Sequence, residues 1–120
     1  MYKILRVNMT DLSVKTEDLP EKYKTFGGRA LTSNIVVDEV PADCHPLGPG
    51  NKLVFAPGIV TGSAAPTSSR ISVGGKGALT NTIKEANAGT KFSPMLHRLG
   101  YAAIIVEGMP KDASKTYLLE

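Results

Sequence analysis

The sequence predicts a strand-dominated α+β fold, mostly antiparallel with about two helices, and three observations lead there. Short alternating or β-branched stretches recur along the chain, only two stretches carry helical spacing, and the regular alternation of a doubly wound sheet is missing. With 120 residues and 12.7 kDa, the chain reads as a single domain over 1–120.

Tyr2 to Asn8 and Leu12 to Glu17 alternate around Ile4, Val7 and Val14, and the short link Met9–Thr10–Asp11 predicts a hairpin. Pro20 opens a helical turn that Gly27–Gly28 interrupts. From Arg29 the spacing of Leu31, Asn34, Ile35, Asp38 and Glu39 predicts a helix over 29–39, which Pro41 closes. Pro41 to Asn51 holds three prolines and two glycines, which is loop chemistry. Lys52 to Ala56 reads as a buried strand stopped by Pro57–Gly58, and Ile71 to Val73 as another. Gly74–Gly75–Lys76–Gly77 permits either a tight turn or a close backbone approach. A second helix is predicted over Phe92 to Leu99, with Pro94 in its first turn and Gly100 at its stop. Tyr101 to Glu107 is the clearest strand, and Lys115 to Glu120 starts a sixth.

Composition removes several function classes. Apolar residues make up 42% and charged residues 21%, which excludes intrinsic disorder, and no apolar run approaches the roughly 20 residues of a bilayer helix. Cys44 is the only cysteine, so the chain forms no internal disulfide and holds no cysteine-ligated iron–sulfur cluster; a reducing cytoplasmic setting follows. His45 and His97 stand in no metal-ligand spacing. The net charge of +3 is unevenly placed: residues 51–100 carry six basic side chains against one acid, Glu85. Such a surplus attracts an anion. Nucleic acid is disfavoured, because aromatics are only 6% and none interleaves with a basic stripe.

No Walker loop surrounds Gly75–Lys76, because Arg70 stands where its first glycine belongs; the dinucleotide fingerprint and the Gly-x-Ser-x-Gly elbow are also missing. Two concentrations of small residues remain. Gly58 to Ser69 ends in Arg70, whose guanidinium can grip phosphate with two parallel hydrogen bonds. Ala86–Asn87–Ala88–Gly89–Thr90 offers main-chain amides and carbonyls to a polar ligand or a hard cation such as magnesium. Such small-residue turns are more often tight connections than ligand sites.

Arg6–Val7–Asn8, Gly27–Gly28–Arg29, Asn51–Lys52–Leu53, Thr61–Gly62–Ser63-x-Ala65–Pro66–Thr67, Arg70, Lys76-x-x-Leu79–Thr80, Ala86–Asn87-x-Gly89 and Gly100–Tyr101-x-x-Ile104–Ile105–Val106–Glu107–Gly108 follow one another along the whole chain. In this order and spacing they resemble the N-terminal domain of the tungsten-containing aldehyde ferredoxin oxidoreductases. The resemblance implies part of a two-sheet base on which a tungsten bis-pyranopterin rests, its phosphates bridged by magnesium. It implies an enzyme that oxidises aldehydes to carboxylic acids and passes electrons through an iron–sulfur cluster to ferredoxin, with the cluster cysteines downstream. By the same resemblance Arg70, Asn87, Ala88 and Gly89 contact the cofactor, the carbonyl oxygen of Asn87 serves the magnesium, and Lys76 and Arg29 are further cofactor-binding candidates. No residue of this chain is catalytic on that reading, the isolated chain is inactive, its partner is the rest of the oxidoreductase, and an exposed half-base self-associates.

Thr90 stands where the family often has a second glycine, and Ala30, Thr32 and Asn81 also depart from its pattern. Two other readings stay open: a non-catalytic scaffold of the same fold, and a small anion- or nucleotide-binding module using Gly74 to Gly77.

Overall fold

Lys3–Asn8 (β1) and Ser13–Asp18 (β2) pair antiparallel, with Val7 opposite Val14. Asp11 closes the hairpin by accepting a hydrogen bond from the Ser13 amide at 3.0 Å. The computed structural model describes residues 1–120 and continues with a short 3₁₀ turn at Glu21–Tyr23, a helix at Gly28–Glu39 (α1), and strands Lys52–Pro57 (β3), Arg70–Lys76 (β4) and Ile83–Gly89 (β5). A short helix at Phe92–Arg98 (α2) and the strand Tyr101–Glu107 (β6) complete it. All six strands form one sheet in the order β2-β1-β6-β3-β4-β5, antiparallel except for the parallel pair β1 and β6. No helix is long and apolar enough to cross a membrane.

Strand alternation sends Ile4, Val54, Ala56, Ala103 and Ile105 to one face, where α1 covers them. Leu31 and Ile35, one helical turn apart, are wholly buried there beside Val36. The helix lies close because Gly74 has no side chain: a Cβ at that position would stand 2.8 Å from the Cβ of Thr32. Val7, Ile71, Ile104 and Leu96 of α2 form a smaller cluster on the opposite face. Seven residues of α2 cover only part of that face, and Val14, Phe92 and Leu99 stay exposed around a groove of about 670 Å³.

The structure decides one open alternative, adds one strand and removes another. Gly74–Gly75 is the close approach and not the turn: both lie inside β4, Gly75 packed against the Lys52 carbonyl, so the glycines offer no anion-binding loop. The turn is made by 77–82 instead. Ile83–Gly89 is a strand, held by antiparallel pairing with all seven residues of β4. Lys115–Glu120 is irregular and pairs with no strand, although Leu119 reaches the open groove.

At the C-terminal end of α1, Arg6 of β1 reaches Glu17 of β2 at 2.9 Å, Glu39 of α1 at 2.9 Å and Glu107 of β6 at 3.0 Å. Lys52 of β3 joins Glu39 at 2.9 Å and Glu107 at 2.7 Å. Burial works against the charge on Glu39 and on Glu107, yet hydrogen bonds from Arg6 and Lys52 outweigh it and hold both carboxyls below their ordinary range.

Candidate functional site

The opposite end of α1 is built differently. Gly27 precedes the helix in an extended conformation, and a Cβ there would collide with Ile59 at 2.8 Å, so the chain enters α1 pressed against the 58–59 turn. Gly28 begins the helix at φ +55°, a conformation that favours glycine. No side chain caps this end and no acidic residue lies in its first turn. The first amides therefore keep their open valence and the positive end of the helix dipole stays uncompensated.

Beside this end the β4–β5 hairpin presents one face. Alternation places Arg70 and Ser72 of β4 and Glu85, Asn87 and Gly89 of β5 there, with Ser72 opposite Asn87 and Arg70 opposite Gly89. The Nε of Arg70 donates to Oδ1 of Asn87, and Nδ2 of Asn87 donates to Oγ of Ser72 at 3.2 Å. Ser72 in turn stands 3.5 Å from where a Gly28 Cβ would lie. The Arg70 guanidinium crosses toward Gly89, whose Cβ position is 4.0 Å from its Nη1. Ser93 of α2 fixes the strand from the other face, its Oγ donating to the Arg70 carbonyl at 2.8 Å.

Arg29, in the first turn of α1, donates through Nε to Oε2 of Glu85 at 3.2 Å. Two guanidinium groups thus lie near one open helix end, and neither has a hydrogen-bond partner for its Nη groups. Such an arrangement is suited to phosphate or another oxyanion.

The structure brings Arg70, Asn87, Gly89 and Arg29 to this place. Ala88 arrives by its main chain alone, because its side chain, opposite Ile71, points to the other face. As the edge strand of the sheet, β5 leaves half of its main-chain amides and carbonyls outward. Lys76 does not join them. It ends β4 six residues beyond Arg70, about 20 Å away at strand rise, and its Nζ donates to the carbonyls of Ala42 and Cys44 at 2.6 Å each. With the side chain buried and those bonds made, Lys76 pins the 41–51 loop and is structural.

The small residues of 58–69 also act mainly as a tight connection. Thr61 is buried, donating to the Ser68 carbonyl at 2.6 Å, and Gly62 is packed against the Pro94 carbonyl of α2. Ser72 and Glu85 were not singled out from sequence. The signal that finds both is the period of two along β4 and β5, once 83–89 is read as a strand.

Over residues 4–119 the chain matches the family described as aldehyde ferredoxin oxidoreductase, N-terminal domain. It is 37% identical over 118 residues to a tungsten-containing aldehyde ferredoxin oxidoreductase of Thermococcus kodakarensis, covering 97% of this chain and 20% of the relative. A protein of the same name from Pyrococcus abyssi is 42% identical over 108 residues, covering 88% of this chain and 18% of its own length. The chain therefore spans about a fifth of the length of the curated relatives it matches. Among solved structures, the active site complex BamBC of benzoyl coenzyme A reductase superposes with a TM-score of 0.85 at 27% identity, covering 92% of this chain and 17% of that one.

Proposed function

Because the chain belongs to the aldehyde ferredoxin oxidoreductase family through its N-terminal domain, we propose that the Arg70–Asn87 cradle holds the phosphate-bearing arm of a tungsten pyranopterin. The relatives are named as tungsten-containing oxidoreductases, so a tungsten cofactor belongs to the family. The pterin, its bridging magnesium and the electron route are the finer part of the proposal.

The observation that carries it is the Arg70–Asn87 hydrogen bond beside the uncapped end of α1. Asn87 orients the guanidinium through Nε, and the two Nη groups remain for an anionic oxygen. Gly89 adds no side chain that would obstruct them. The residues present therefore fit a phosphate, while an outward carbonyl at Asn87 or Ala88 on the edge strand suits a hard cation bound to it. Arg29 adds charge from the helix side.

When bound, such a cofactor supplies the two-electron chemistry by which an aldehyde becomes a carboxylic acid, with an iron–sulfur cluster and ferredoxin as acceptors. Those parts, and the aldehyde pocket, would come from the remainder of the oxidoreductase, and this chain alone would be inactive. The reducing cytoplasm is the compartment for that chemistry, in keeping with one free thiol at Cys44. The open sheet face around Val14 and Leu53 leads us to expect self-association of the 120-residue chain at high concentration. A clean monomer by light scattering would contradict that expectation.

Replacing Arg70 with Ala in the full-length enzyme should lower both tungsten and pterin content. Unchanged content would defeat the assignment. A second reading, a scaffold that binds no cofactor, is favoured by Thr90: its amide donates to the Ser69 carbonyl at 3.0 Å and its Oγ1 accepts from Phe92, so the residue serves the β5–α2 link. Metal analysis and pterin fluorescence on protein from a host that makes tungstopterin separate the two.

A further inference from the structure

We propose that Glu85 is a positioning residue that makes the cradle a two-arginine clamp, suited to a ligand carrying two adjacent phosphoryl groups. The proposal rests on the anion-binding reading of Arg70 and Asn87. Glu85 and Asn87 lie on the same face of β5, two residues and thus about 7 Å apart. Each accepts a hydrogen bond from the Nε of an arginine on a different element: Asn87 from Arg70 of β4, Glu85 from Arg29 of α1. A guanidinium tethered by Nε presents its remaining donors away from the tether as a planar fork. Two such forks flank the open amides of α1.

Glu85 has little other use. Its side chain is only 13% exposed, and Oε1 is buried without any hydrogen-bond partner. Leaving a carboxylate oxygen so placed is costly, and an apolar side chain would pack against α1 with less penalty. What the carboxylate does achieve is a fixed direction for Arg29, whose side chain is 75% exposed and makes no other hydrogen bond. Without that anchor the ligand itself must order a long side chain, at an entropic cost. Orthophosphate occupies one fork, whereas inorganic pyrophosphate spans both.

The test is calorimetric titration of the chain with inorganic pyrophosphate and with orthophosphate. The unaltered chain should prefer pyrophosphate by roughly tenfold. Glu85→Met removes charge and acceptor together; Glu85→Gln removes the charge and keeps a neutral acceptor, as Asn87 does for Arg70. Positioning requires the preference to fall to about twofold or less in Glu85→Met and in Arg29→Ala, with no further fall in the double variant, and to survive in Glu85→Gln. If Glu85→Met and Glu85→Gln behave alike, or Arg29→Ala keeps the preference, the clamp is overturned while weakened binding in Arg70→Ala still upholds the cradle. If the unaltered chain binds neither anion, or Arg70→Ala binds both as well as before, the cradle fails and the clamp with it. Far-UV circular dichroism melts verify that each variant is folded.

Discussion

At the C-terminal end of α1, five charged side chains from five elements satisfy one another; at its N-terminal end, Arg29 and Arg70 are each held by a single nitrogen and leave the rest free. Arg6 and Lys52 also place cations where the helix dipole is negative, which is favourable. The N-terminal arginines sit beside the dipole's positive end, where they gain nothing from it. Saturated charge at one end fixes architecture, joining β1, β2, β3, β6 and α1. Unsaturated charge at the other leaves guanidinium donors open to solvent or to an incoming anion.

The harshest way to test the contrast is to break the saturated end. Arg6 is 16% exposed in its side chain and bonds three carboxylates, so Arg6→Ala leaves Glu39 and Glu107 to Lys52 alone and Glu17 without an ion-pair partner. A loss of about 2–4 kcal/mol is expected by urea denaturation, with phosphate binding at the far end unchanged in the folded variant.

Acid should act on the same end by a gentler route. The folded carboxyls of Glu39 and Glu107 lie below the ordinary value of 4.5. Their contribution is complete above that value and is lost as pH falls through the depressed folded values. Melting temperature should therefore drop as pH falls below about 4.5, through the depressed folded values, and drop less in Arg6→Ala, whose network is already broken. Parallel curves for the two proteins would show that the network does not set acid stability.

Gly74→Ala sharpens the comparison by pushing α1 off the sheet at both ends, because the new Cβ meets the Thr32 Cβ. About 1–3 kcal/mol is the expected cost, together with weaker pyrophosphate binding. Wild-type stability in this variant would mean that the helix position is not set by the glycine.

Much of this architecture was legible in the sequence because its signals are local. The hairpin, the 29–39 helix with Leu31 and Ile35, and the strand before Glu107 all announce themselves by period. β5 does not, since Lys84, Glu85, Asn87 and Gly89 are poor strand formers held there by pairing with β4. The reverse error fell at 115–120, where the predicted strand finds no partner. The saturated end was invisible: positions 6, 17, 39, 52 and 107 meet only once the register sets Lys52 against Glu107. Lys76 looked like Arg70 in sequence, a cation beside small residues, and only burial and its carbonyl partners separate the two.

The smallest expected effect is also the most discriminating. Arg70→Ala removes an exposed side chain with one hydrogen bond and leaves Asn87 its contact with Ser72, so stability should change by no more than about 0.5 kcal/mol. The same variant should lose anion binding. Chemical denaturation beside phosphate titration gives both numbers from one preparation. If Arg70→Ala costs as much stability as Arg6→Ala, the guanidinium is part of the architecture, the two ends of α1 do not differ in kind, and free donors at the N-terminal end lose their meaning as a ligand's place.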